Sequence, residues 1–265
     1  MIKGLIVWFC LCFCIAGCVP ITAPIPAATA KPTPSPAPQA EDATVAQAGQ
    51  VTYYTMDLNG TPLDYAVVLP DGFDASQTYP ILLSLPPGGQ TKEMVDAVLD
   101  GYWSAEASRR GWIVISPVAP GGKLFFEGSE TLIPEFLART AQQYPPEGGK
   151  YHLSGVSNGG ISSFRVAVNH PELVHSILVA PGYAKPEDTP KLNVLKDIPI
   201  AMFVGEQDTQ WVQSMQATKD ELDRLGIQAS LTILPNEGHV LRSLTGDQLF
   251  DLLDSFRLEQ STQDK

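Results

Sequence analysis

Beyond Cys18 the chain contains no cysteine, since the four it has are Cys10, Cys12, Cys14 and Cys18. That absence excludes a disulfide, a thiolate nucleophile and a cysteine-ligated metal from everything that follows, so the rest must be held by core packing. Basic residues are also scarce: 17 Lys and Arg stand against 29 Asp and Glu, for a net charge of −12. No cationic surface of the kind that nucleic acid requires can be assembled from so few, and no nucleic-acid partner is expected. The chain lacks an H-E-x-x-H motif, a dense cluster of carboxylates with histidines, and a G-x-x-x-x-G-K phosphate loop. No metal site and no cofactor are therefore expected.

Long apolar runs are missing as well. The longest, Gly4 to Ile15, follows the single basic residue Lys3 and is too short for a bilayer-spanning helix. It suits the core of an export signal. Its ending, Ile15-Ala16-Gly17-Cys18, resembles a bacterial lipobox, in which the cysteine is lipidated and becomes the new N-terminus. The expectation is a leader over 1–18 and an exported lipoprotein, anchored through Cys18 on the extracytoplasmic side of a membrane. Mass spectrometry that finds an unmodified N-terminus beyond Cys18 would exclude it. Residues 19–50 are rich in Pro, Ala and Thr, with few large apolar side chains. Such a composition cannot offset its own ordering entropy, so this stretch reads as a disordered tether.

What is present begins near Val51. From there to residue 258, short apolar runs alternate with amphipathic stretches, the pattern of an α/β sheet with crossover helices. Val51–Met56 and Leu63–Leu69 read as an antiparallel hairpin turned at Asn59-Gly60. Strands follow at 79–85, 112–116, 151–155, 176–180, 200–205 and 229–234. Helices are expected at 92–110, 129–144, 160–169, 212–225 and 246–258. In the first of these the spacing puts Met94, Val95, Val98 and Tyr102 on one face. The unbroken apolar strands imply a mostly parallel, doubly wound sheet with helices on both faces. Residues 259–265 read as a polar tail.

Three strand ends carry chemistry. After the strand at 151–155 comes Gly155-Val156-Ser157-Asn158-Gly159. The glycines suit a sharp strand-to-helix turn, which needs close packing and strained backbone. Asp208 follows the strand at 200–205, and His239 follows the strand at 229–234. A serine, an acid and a histidine, in that order at the carboxyl ends of strands, resemble the α/β-hydrolase superfamily over nearly all of 51–258. Only about 20 residues, Ala180 to Pro199, separate strand six from strand seven, which leaves little room for a lid. The compact layout is similar to feruloyl esterases and polyhydroxybutyrate-depolymerase-like esterases.

The resemblance implies a serine nucleophile at Ser157, a general base at His239 and an orienting acid at Asp208. The backbone amide of Asn158 would be one oxyanion donor, its side chain incidental. The second donor belongs to the loop after strand three, where the family carries a His-Gly pattern. Here the loop reads Pro86-Pro87-Gly88-Gly89-Gln90. Proline has no N–H, so Gly88, Gly89 and Gln90 remain, and matching the glycines favours Gly89, then Gln90.

Glu206 is an alternative acid, while Glu237 reads as a solvated loop charge. His152 reads as structural or edge-exposed, and His170 and His175 as surface or capping residues. Trp112 is expected in the core, and Trp211 at the mouth of the site. The implied activity is hydrolysis of a small-molecule or polymer-end ester. Serine peptidase activity of the prolyl-oligopeptidase type is the alternative, and a non-catalytic surface binding lipoprotein is the other.

Overall fold

The computed structural model describes residues 49–263, with side chains as far as Leu258. The expected leader, the expected lipidation site Cys18 and nearly all of the expected tether lie outside the described residues. Strands β1 (Thr52–Leu58), β2 (Thr61–Val68), β3 (Ile81–Leu85), β4 (Ile113–Pro117), β5 (Tyr151–Gly155), β6 (Val174–Val179), β7 (Ile200–Gly205) and β8 (Ala229–Leu234) form one sheet. Its order is β1-β2-β4-β3-β5-β6-β7-β8. The first two strands pair antiparallel through the Asn59-Gly60 turn, and β2 runs antiparallel to β4. From β4 to β8 every pairing is parallel. This puts the carboxyl ends of β3, β5, β6, β7 and β8 along one edge of the sheet, where ligand sites form in such folds.

Helices α1 (Lys92–Val98), α2 (Ser104–Arg110), α3 (Ile133–Gln143), α4 (Asn158–Asn169), α5 (Thr209–Arg224) and α6 (Gly246–Gln263) cover it. One core cluster packs β-strand residues such as Leu83, Leu153 and Ile177 against Phe136 and Phe164. The other packs Leu82, Val114 and Leu178 against Trp103, Trp112 and Phe250. Alternation along the strands separates the two clusters, because consecutive side chains leave opposite faces. The inner strands β3, β4 and β5 are buried at every residue, whereas β1 and β8 at the edges are not.

The structure differs from the sequence reading at several elements. Helix 92–110 is broken by a π-helical turn over Leu99–Trp103. The extra residue in that turn rotates the apolar stripe, so that Trp103 enters the core and Tyr102 is only partly covered. Ser129–Leu132 is a 3-10 turn that precedes α3. The last helix runs on to Gln263, so the expected polar tail is largely helical backbone. At the other end, the Gly49 amide donates to the Leu69 carbonyl at 3.0 Å, which ties the end of the expected tether to the domain.

Two arginines join elements across the surface. Arg110 of α2 meets Glu106, Asp247, Asp251 and Asp254, three of them on α6. Arg165 of α4 pairs through Nε with the buried Asp188, and donates to the Phe126 carbonyl. Arg165 thereby ties α4 to the loops that follow β4 and β6.

His152 takes the structural one of its two expected roles, whereas His175 is half-buried against its ring and not a surface residue. His152 is buried in β5, its Nδ1 2.7 Å from Ser176 Oγ. Its ring packs on Trp112 at 4.7 Å and on His175 at 4.3 Å. Burial, together with the nearby His175 and Arg257, holds its pKa well below the usual 6.5. The unfolded chain therefore takes up a proton below that pH while the folded chain does not. Stability is accordingly lost as pH falls below about 6.5, by up to roughly 1.4 kcal/mol per pH unit from this group. Thermal unfolding between pH 7 and 5 should show this slope, and His152→Phe should flatten it.

Candidate active site

The strand β5 ends at Gly155 because nothing larger fits there: a Cβ on Gly155 would lie 2.1 Å from the Gly159 carbonyl oxygen. On Gly159 it would lie 1.9 Å from the carbonyl oxygen of Leu85, at the end of β3. These contacts fold the chain sharply from strand into α4. At the apex Ser157 adopts φ 56° and ψ −119°, a conformation costly for a residue with a side chain, on the order of 1–3 kcal/mol. Its own amide is held by the Pro181 carbonyl at 2.8 Å.

The histidine and the acid come from the neighbouring strand ends. Asp208 immediately precedes α5, which starts three residues earlier than its apolar spacing suggests. His239 lies in the loop after β8. That loop is pressed onto β7, since a Cβ on Gly205 would lie 2.1 Å from the Gly238 carbonyl oxygen. The Gln207 amide donates to the Glu237 carbonyl at 2.8 Å and links the two loops.

The result is a relay. His239 Nε2 lies 2.8 Å from Ser157 Oγ, and His239 Nδ1 lies 2.5 Å from Asp208 Oδ2. Asp208 is largely buried while the imidazole is partly open, with side-chain exposures of 15% and 41%. Trp211 packs on the imidazole at 4.9 Å and Tyr183 packs on Trp211 at 5.0 Å, which puts Trp211 at the site mouth.

Glu206 does not join the relay, because its carboxylate accepts the Asn236 amide. Glu237 is not a free loop charge. It accepts the amides of Arg242 and Ser243, which lower its pKa and hold the segment after His239. His170 lies at the end of α4, away from the relay.

The oxyanion side requires a correction. The Gln90 amide is donated to the Pro87 carbonyl at 2.9 Å, so it cannot serve as a donor. The Gln90 side chain is instead buried and fully used: Nε2 donates to Pro86 O and Ser162 Oγ, and Oε1 accepts the Phe125 amide. Gln90 is a brace that fixes the loop against α4. The amides of Asn158, Gly88 and Gly89 have no hydrogen-bond acceptor among the described residues.

Of the two glycines it is Gly88, at φ 57°, that shares a cavity with Ser157. The Asn158 side chain is not incidental, because its Nδ2 donates to the Gly88 carbonyl at 2.8 Å. The turn that carries Ser157 and the loop that carries Gly88 are thus directly tied. A polar residue next to the serine and a glycine pair after β3 were the sequence signals for this tie.

Beside Ser157 and His239 lies a cavity of about 410 Å³, lined chiefly by apolar side chains. Tyr102, delivered by the π turn, forms part of its wall and donates from its hydroxyl to the Leu241 carbonyl at 3.3 Å. The sequence reading missed this wall because the π turn leaves no compositional trace.

With this geometry established, the comparisons with known proteins are informative. The fold is similar to that of a thermostable esterase, with a TM-score of 0.61 and 18% identity over 70% of this chain and 55% of that one. It is similar to an S-formylglutathione hydrolase from Agrobacterium tumefaciens, with a TM-score of 0.60 and 14% identity over 77% and 93% of the two chains. The dipeptidyl peptidase 4 of Porphyromonas gingivalis gives a TM-score of 0.61 and 14% identity over 80% of this chain and 36% of that one. The chain therefore spans about half the length of that esterase and about a third of that peptidase. No protein-family model and no curated protein sequence matches the chain. The chain has the α/β-hydrolase fold.

Proposed function

We propose that this protein is a serine hydrolase that cleaves carboxylic esters through an acyl-enzyme on Ser157. The observation that carries the reading is the unbroken Ser157–His239–Asp208 relay. Serine is a weak nucleophile near neutral pH, so His239 Nε2 takes its proton as Oγ attacks the ester carbonyl carbon. Asp208 accepts from Nδ1, fixes the tautomer and stabilises the imidazolium. The amides of Asn158 and Gly88 stabilise the oxyanion. When the C–O bond breaks, His239 returns the proton to the departing alkoxide, which leaves as the alcohol. A water molecule then attacks the acyl-enzyme, giving its proton to His239; the acyl C–Oγ bond breaks, His239 returns that proton to Ser157 Oγ, and the acid is released.

The cavity beside the relay favours esters over peptides. Its lining includes no Lys, Arg, Asp or Glu to bind a peptide terminus. Labelling with a fluorophosphonate probe tests the reading. The protein should be labelled and Ser157→Ala should not be. A folded wild-type protein that takes no label would refute the hydrolase reading and favour a non-catalytic binding protein.

A further inference from the structure

The cavity beside the relay touches His239 and the two residues after it, Val240 and Leu241, and extends to Ala97, Val98 and Tyr102. Trp211 packs on the same imidazole yet does not line the cavity, so the two are separate neighbours of the ring. Chemistry distinguishes these two sides. The proton that His239 Nε2 carries must reach the alkoxide oxygen as the C–O bond breaks. That oxygen therefore lies within hydrogen-bond reach of Nε2, about 2.6–3.2 Å. The carbonyl oxygen is meanwhile held between the amides of Asn158 and Gly88. With both oxygens fixed, the substituent on the alkoxide oxygen emerges beside the imidazole and the loop that follows it.

We propose that this cavity binds the alcohol half of the substrate, and that the alcohol is an apolar, uncharged alkyl or aryl group. The inference rests on the ester-hydrolase reading above and assigns the two halves of its substrate. Tyr102 and His239 are the only ionisable side chains in the wall, and the Tyr102 hydroxyl is already bonded to the Leu241 carbonyl. A charged or heavily hydroxylated alcohol would lose its hydration there and find no partner. The rim is apolar too: Val240 is 65% exposed at the mouth, and Ala97 is exposed opposite the core. The acyl half is left to the side of Trp211 and Tyr183.

Two series of esters separate the halves. In the first, acetate is fixed and the alcohol runs from ethanol to hexanol, which have similar leaving-group reactivity. In the second, ethanol is fixed and the acid is lengthened instead. The wild-type protein should prefer hexyl over ethyl acetate by about tenfold or more in kcat/KM. Ala97→Trp and Val240→Trp should each erase that preference while leaving the order of preference in the acid series as in the wild type. The fluorophosphonate, whose leaving group is fluoride, reports whether each variant remains folded and reactive.

A wild-type protein that does not distinguish the alcohols would overturn the assignment. So would variants that instead alter selectivity in the acid series. A wild-type protein that takes no probe would overturn the hydrolase reading and this inference with it.

Discussion

Asp208→Asn should lower kcat/KM for an activated ester by about four orders of magnitude while leaving the fold intact. The carboxylate accepts from His239 Nδ1 at 2.5 Å, which leaves Nε2 free to take the serine proton. An asparagine can present its NH₂ to Nδ1 and so favour the opposite tautomer, in which Nε2 carries a hydrogen and cannot act as a base. The exchange is close to isosteric, and the backbone bonds of Asp208 to Gly205 and Val212 are unaffected. Activity should therefore collapse without a matching change in melting temperature. A variant that retains more than about a tenth of wild-type kcat/KM would indicate that the relay is not the catalytic device.

Gly159→Ala should be severe in a different way, costing stability as well as activity. The added Cβ would sit 1.9 Å from the Leu85 carbonyl oxygen and 2.8 Å from that of Pro86. Both are backbone atoms, at the point where β3 passes into the oxyanion loop, so no side chain can move aside. The helix must shift away from the sheet, or the loop away from Ser157. Overpacking of this kind costs about 1–3 kcal/mol when side chains can adjust, and a clash with two carbonyls belongs at or above the top of that range. Denaturant unfolding should register the loss. Fluorophosphonate labelling of the fraction still folded should be slowed as well, because the displacement separates the Gly88 amide from Ser157. An alanine variant that matches the wild type in both measurements would refute the account of this turn.

These residues explain which parts of the site were legible in the sequence. Ser157, Asp208 and His239 each follow a strand that the sequence places, at 151–155, 200–205 and 229–234, and the parallel pairing of β5 through β8 brings those strand ends together. The glycines around Ser157 were legible for a related reason, because steric exclusion leaves its mark in composition. Gln90 was misread because its sequence position says nothing about the direction of its amide. That direction is set by a turn onto Pro87 and by three side-chain bonds to partners far along the chain. The π turn was hidden for another reason. Val95, Val98 and Tyr102 keep helical spacing in the sequence, and a single inserted residue shifts burial from Tyr102 to Trp103 without altering the hydrophobic count. Glu237 shows the same limit, since the amides it accepts lie five and six residues on, in a loop with no periodicity.

The short segment between β6 and β7 leaves His239 open to solvent, with Val240 standing exposed beside it. On the proposed ester-hydrolase reading, the described residues hold no cover to displace before substrate enters. The rate should follow the concentration of dissolved monomeric ester smoothly, with no jump when the ester begins to form micelles or droplets. Interfacial activation, which requires a flap that an oil–water boundary can pull aside, has no mechanical basis in such a site.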